Sequence, residues 1–126
     1  FVQLFEDMEI ESTWVFANSW DTPPLPLHCL TLSRVAEEAL TNIVKHSHAT
    51  DVEVSLVEDK QKQLILEIKD NGQGFEPQRV QDGLHVGLQS MKIRIERIRG
   101  NFHISSEHGL TVIRAIIPHK SEKATR

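Results

Sequence analysis

Asp70-Asn71-Gly72-Gln73-Gly74-Phe75 (DNGQGF) directly follows the apolar run Leu64 to Lys69 (LILEIK), and the fold turns on how this junction is read. An Asn-Gly pair after alternating hydrophobics is a strong hairpin signal. A hairpin needs a partner strand straight after Gly74, but Phe75 to Gly83 (FEPQRVQDG) does not alternate and contains Pro77. Two glycines one residue apart instead suit a backbone that bends sharply at a strand end and lets a ligand approach closely. Asp70 at that end is suited to accept a hydrogen bond from an exocyclic amine in a pocket.

Changes of hydrophobic period mark the elements on either side. Val52 to Glu58 alternates through Val52, Val54 and Leu56, and with Leu64 to Lys69 it reads as a hairpin joined by Asp59-Lys60-Gln61-Lys62. Further upstream, Leu32, Val35, Ala36, Ala39, Leu40, Ile43 and Val44 recur at helical spacing, which predicts a helix from Thr31 to about Ser47 with Thr31 or Ser33 as caps. The three prolines between Asp21 and Pro26 cannot continue a helix or a central strand, so that segment connects the helix to a strand around Thr13 to Ala17. Downstream, Glu76 to His85 shows neither period and reads as a mobile loop. Leu88 to Arg99 predicts a second helix stopped by Gly100, and Phe102 to Ser106 with Thr111 to Ile117 predict two closing strands ended by Pro118. The organisation expected is one domain: residues 1–29 as its N-terminal strand and Pro-rich connector, 30–118 as its core, and 119–126 as a disordered tail.

Composition narrows the function. A chain of 126 residues builds one core. Its 14 Lys and Arg against 18 Asp and Glu leave a net charge of −4, so no global field attracts nucleic acid or anionic lipid, and any phosphate must be held locally. One cysteine, Cys29, permits no intrachain disulfide and favours a reducing, cytoplasmic setting. No apolar run approaches the roughly 20 residues of a membrane span. The opening at Phe1, without Met and in mid-pattern, suggests a segment of a longer protein.

Two further groups bear on chemistry. Glu38, Asn42 and Lys45 or His46 follow one another at i, i+4 and i+7 or i+8, one stripe beside the apolar face of the predicted helix. An ordinary solvated face reads the same way. A carboxylate, an amide oxygen and a cation on one stripe also suit hydrated Mg2+ held against a polyphosphate. Gly83-Leu84-His85-Val86-Gly87-Leu88 runs into the second predicted helix, whose free N-terminal amides would attract an anion, with Gly87 admitting phosphate oxygens. Among the seven histidines only His46 and His48 are close, and their i, i+2 spacing points them apart, against a zinc site. Lys92, Arg94, Arg97 and Arg99 read as a solvated basic face, and Trp14 and Trp20 as packing residues.

Taken in order, EALTNIVKHSHA, DNGQGF, HVGLQSMKIRIERIRG and the closing strands ending in IIP resemble the catalytic ATP-binding domain of bacterial two-component sensor histidine kinases, nearest to the nitrate/nitrite-sensor subfamily. The resemblance spans about Leu30 to Pro118. It implies an α/β two-layer sandwich, a mixed, mostly antiparallel sheet packed on about three helices, with ATP under a flexible lid from Glu76 to Val86. This is the ATPase fold shared with type II topoisomerases, heat-shock chaperones and mismatch-repair proteins. Asn42 matches the family's Mg2+-binding asparagine, and Glu38 an acidic position that orders a metal-bound or attacking water. Lys45 and His46 stand where the family places groups near the phosphates. Asp70 matches the aspartate that reads the adenine amino group, with Gly72 and Gly74 shaping the pocket. Gly87 and Leu88 match the glycine-leucine pair closing the lid, and Thr111 a threonine that backs the adenine site through water. His85 and Leu110 stand where many members carry glycine.

The resemblance further implies ATP and Mg2+ as ligands, and delivery of the γ-phosphoryl to a histidine in an upstream dimerisation domain. A response regulator would follow, in a homodimeric parent anchored at the inner membrane, with this domain in the cytoplasm and away from nucleic acid. The chain alone is expected to bind ATP without autophosphorylating. Other readings are an ATPase of the same fold, such as an anti-sigma serine kinase, and a degenerate nucleotide-sensing or docking module.

Overall fold

The computed structural model describes residues 1–16, 23–72, 82–107 and 109–118. Gly74, Trp20, His108, the first part of the expected lid and the 119–126 tail lie outside the described residues.

Helix α1 (Val2–Asp7) leads into strand β1 (Glu11–Phe16), and helix α2 (Pro26–Asn42) continues as a π-helical segment, Ile43–Ser47. The hairpin β2 (Asp51–Glu58) and β3 (Leu64–Asp70) follows, then helix α3 (Asp82–Arg97) and the hairpin β4 (Asn101–Glu107) and β5 (Leu110–Ile117). The strands form one sheet in the order β1-β2-β3-β5-β4, with β1 and β2 parallel and every other pair antiparallel. The parallel pair is joined by α2, the crossover that parallel pairing requires.

Period-2 alternation makes the sheet two-faced. Val52, Val54, Leu64, Leu66, Ile68, Ile113, Ala115 and Ile117 are buried with Leu32, Val35, Ala39, Leu40 and Ile43 of α2 and its extension and Met91, Ile95 and Ile98 at α3. Glu67 of β3 lies opposite Arg114 of β5 and accepts a hydrogen bond from its Nε at 2.8 Å. Desolvation pushes the Glu67 carboxyl up, and the Arg114 and Lys69 hydrogen bonds and charges outweigh it, leaving the group below its ordinary range. This polar face is the open side of a two-layer fold.

Two helix starts and one helix type differ from the sequence reading. Helix α2 begins at Pro26 rather than Thr31, with no side-chain cap; Pro26 occupies the first turn, where a missing N–H costs nothing, and Thr31 is buried inside the helix. Past Asn42 the backbone widens to π geometry and ends at His48 in the left-handed region (φ 56°). Helix α3 begins at Asp82 rather than Leu88, so Gly87 lies inside it. Glycines lower helical propensity, and packing on α2 overrides that here.

Helices α1 and α3 end alike. At α3, Gly100 N–H donates to the Ile95 carbonyl (2.9 Å) and Arg99 N–H to the Glu96 carbonyl (3.0 Å); at α1, Ile10 donates to Phe5 (2.8 Å) and Glu9 to Glu6 (3.0 Å). Both are Schellman closures. The left-handed residues are Glu9 (φ 59°) and Arg99 (φ 63°), not glycines. Gly100 serves close approach instead: a Cβ there would lie 2.7 Å from the Ile116 carbonyl oxygen. No helix among the described residues is long and apolar enough to cross a membrane.

Candidate functional site

Strand β3 is central, and its last residue, Asp70, turns toward the helix layer with Ile68 and Leu66 and is buried. Its Oδ1 accepts a hydrogen bond from the buried Gly72 N–H at 2.9 Å, closing a turn directly after the strand. Burial raises the Asp70 carboxyl above its ordinary range, and the Gly72 bond offsets part of that rise. Across the ladder Asp70 faces Thr111 of β5, which faces Ser106 of β4. Thr111 is buried, and its hydroxyl lies 3.0 Å from that of Ser106. Asp70, Thr111 and Ser106 therefore form a polar row across three adjacent strands, at the edge of an otherwise apolar face.

The second cluster lies between the helices. Glu38 and Asn42 stand one turn apart on α2, and Gly87 of α3 sits against both. A Cβ at Gly87 would come within 2.8 Å of Glu38 Oε2 and 3.6 Å of Asn42 Nδ2. Asn42 Nδ2 is the one buried side-chain polar atom without a hydrogen-bond partner among the described residues. Such orphans are uncommon and call for an explanation. Leu88 is half-buried and packs on the core beside Met91.

The two clusters account for most of the residues singled out from the sequence. Asp70, Gly72 and Thr111 meet at the sheet, and Glu38, Asn42 and Gly87 meet between the helices. Lys45 and His46 lie on the π-helical segment, Lys45 exposed and His46 half-buried. One expectation is corrected. The Gly87 amide is not at a free helix N-terminus; the amides left open by the helix belong to its first turn, residues 82–85. Two polar residues had no role assigned from the sequence: Ser106, visible only through strand register, and Asn71, read only as part of a turn signal, whose bonds reach residues 20 and 21 positions away.

Residues 29–121 match the family described as histidine kinase-, DNA gyrase B- and HSP90-like ATPase. The chain belongs to this ATPase family. Its relatives are sensor histidine kinases. It is 34% identical over 113 residues to the signal transduction histidine-protein kinase/phosphatase UhpB of Salmonella typhimurium, covering 86% of this chain and 22% of that protein. It is 32% identical over 107 residues to the nitrate/nitrite sensor protein NarX of Escherichia coli K12, covering 81% and 18%. The chain thus spans about a fifth of the length of these curated relatives. Among solved structures, the histidine kinase domain of the Erythrobacter litoralis EL346 blue-light activated kinase superposes with a TM-score of 0.71 at 16% identity, covering 97% of this chain and 59% of that one. The mycobacterial sensor histidine kinase MprB gives 0.67 at 20%, covering 93% and 90%. The structural likenesses establish the fold, and the family match together with the curated relatives identifies an ATP-binding domain of the sensor histidine kinase family.

Proposed function

We propose that this domain binds Mg-ATP between its two clusters and presents the γ-phosphoryl to a histidine on a separate dimerisation domain. The observation that carries the reading is Asp70, a buried carboxylate at the end of the central strand with acceptor capacity beyond the single Gly72 bond. The adenine amino group would donate to it. Thr111 would complete the base site, and Gly72, with Gly74, would leave room for the ring.

Glu38 and Asn42 fit a magnesium ion through their side-chain oxygens, while the partnerless atom of Asn42 is its Nδ2, a donor suited to a phosphate oxygen beside that ion. When bound, the ion neutralises phosphate charge. Phosphoryl transfer has a loose transition state and little covalent work for the protein, so positioning and charge compensation carry the catalysis. Asn42 would hold the ion, Glu38 would orient water beside it, Lys45 and His46 would lie along the phosphates, and Gly87 with Leu88 would close the site from α3. The acceptor histidine, a response regulator receiving the phosphoryl group and a homodimeric parent with this domain in the cytoplasm complete the reading.

Calorimetric titration of ATP and GTP with Mg2+ tests it. ATP preference lost in Asp70→Asn, and Mg2+-dependent affinity lost in Asn42→Asp, are the expected results. Phosphohistidine forming on the isolated chain would overturn the assignment of the acceptor to another domain. His85 and Leu110, which stand where many members carry glycine, also suit a degenerate nucleotide-sensing or docking module; Mg2+-dependent hydrolysis abolished by Asn42→Asp argues against that reading.

A further inference from the structure

Asn71 stands outside both clusters and is exposed, yet its side chain is fully engaged. Its Oδ1 accepts from the backbone N–H groups of Thr50 and Asp51, each at 2.9 Å. Its Nδ2 donates to Thr50 Oγ1 at 3.0 Å and to Asp51 Oδ2 at 3.1 Å, and its own N–H donates to the Asp51 carbonyl at 3.2 Å. Two acceptor positions and two donors saturate a primary amide. They also fix which end is which, since a reversed amide would set donors against two N–H groups.

The two chain segments joined here come from opposite ends of the nucleotide site. Asn71 follows Asp70 directly and precedes Gly72, whose N–H holds the Asp70 carboxylate. Thr50 and Asp51 follow the left-handed His48 and buried Ala49, the exit from the helix that carries Glu38, Asn42, Lys45 and His46. Regular pairing of β2 with β3 stops at Val52 and Asp70, so the side chain of Asn71 continues the junction where the ladder has ended. At an exposed position water would satisfy the same groups, so these bonds add little net stability. Their consequence is geometric.

We infer that Asn71 is a positioning residue that locks the base-reading end of the nucleotide site to the segment leaving the phosphate-side helix, and so sets the placement of Asp70 for adenine. This rests on the reading of Asp70 as the base acceptor. No other side chain of similar length both accepts two N–H groups and donates to two oxygens, apart from the longer glutamine. Asp at this position would keep the accepted bonds and set a carboxylate beside that of Asp51.

The test is titration of ATP and GTP, with Mg2+, into the 126-residue chain and its Asn71→Ala, Asp51→Ala and Asp70→Asn variants, with thermal unfolding measured alongside. Asn71→Ala is expected to stay folded and to lose about tenfold in the ATP-over-GTP affinity ratio, because a displaced carboxylate no longer discriminates the amino group. A lowered unfolding midpoint with the ratio unchanged would assign Asn71 a merely structural role and overturn the inference. Should Asn71→Ala not fold, Asp51→Ala, which removes one of the donated bonds, reads the same quantity: a loss of about threefold supports the inference and an unchanged ratio overturns it. If Asp70→Asn erases the preference while both clamp variants keep it, the base site stands and only the inference falls. A wild-type chain without ATP preference removes both.

Discussion

Asp70 is costly to the fold, and under the proposed function it is the base acceptor of the site. A carboxyl whose folded pKa is raised takes up a proton on folding, so its contribution to stability falls as pH climbs from the ordinary carboxylate range through the raised value, then levels off. At neutral pH it is a net liability. Asp70→Asn, which keeps an oxygen for the Gly72 N–H, is expected to raise the thermal midpoint at pH 7 while weakening ATP binding at least tenfold, about 1.4 kcal/mol. Differential scanning calorimetry and titration on the same sample check both halves. Acidification through the raised pKa should likewise weaken ATP binding, because a protonated carboxyl loses acceptor capacity toward the amino group.

At the scale of elements, the closures of α3 and its contact with α2 make separable predictions. Arg99 holds a left-handed conformation that costs an L-residue roughly 1 kcal/mol, so Arg99→Gly is expected to stabilise the domain by about 0.5–1 kcal/mol in urea unfolding. The neighbouring glycine behaves oppositely. A Cβ at Gly100 meets a backbone carbonyl and Ile95 Cγ2, each at 2.7 Å, and Gly100→Ala should cost about 1–3 kcal/mol. Gly87→Ala meets the far end of the Glu38 side chain, which can swing away, so stability should hold to within about 1 kcal/mol. Displacing Glu38 should nevertheless lower Mg2+-dependent ATP affinity, and calorimetry separates the two effects.

Across the whole molecule, one core holds both clusters. Ile95 is fully buried between α3 and the sheet, and Phe5 is equally buried at the N-terminal end, with its ring centroid 6.4 Å from that of Trp14. Ile95→Ala is expected to cost about 2–5 kcal/mol and Phe5→Ala about 3–5 kcal/mol. Both should shift one cooperative urea transition rather than split it, because β1 pairs with β2 in the same sheet as β3 and β5. A second transition in Phe5→Ala would show that α1 and β1 unfold by themselves.

The amino-acid sequence by itself determined the strands β2 to β5, the helical stripe of α2 and the identity of the family, since these rest on short-range periodicity and on residues such as Asp70 and Asn42 in their local boxes. It misjudged the start of α2 at Pro26 because a proline that ends one segment is also suited to the first turn of the next. It left the early start of α3, the burial of Asp70, its row with Thr111 and Ser106, and the bonds of Asn71 to Thr50 and Asp51 to the tertiary structure. Those features depend on strand register and on one helix packing against another, contacts between residues far apart in the chain. Only when the sheet pairs β3 with β5 and α3 lies on α2 do they come within reach of each other.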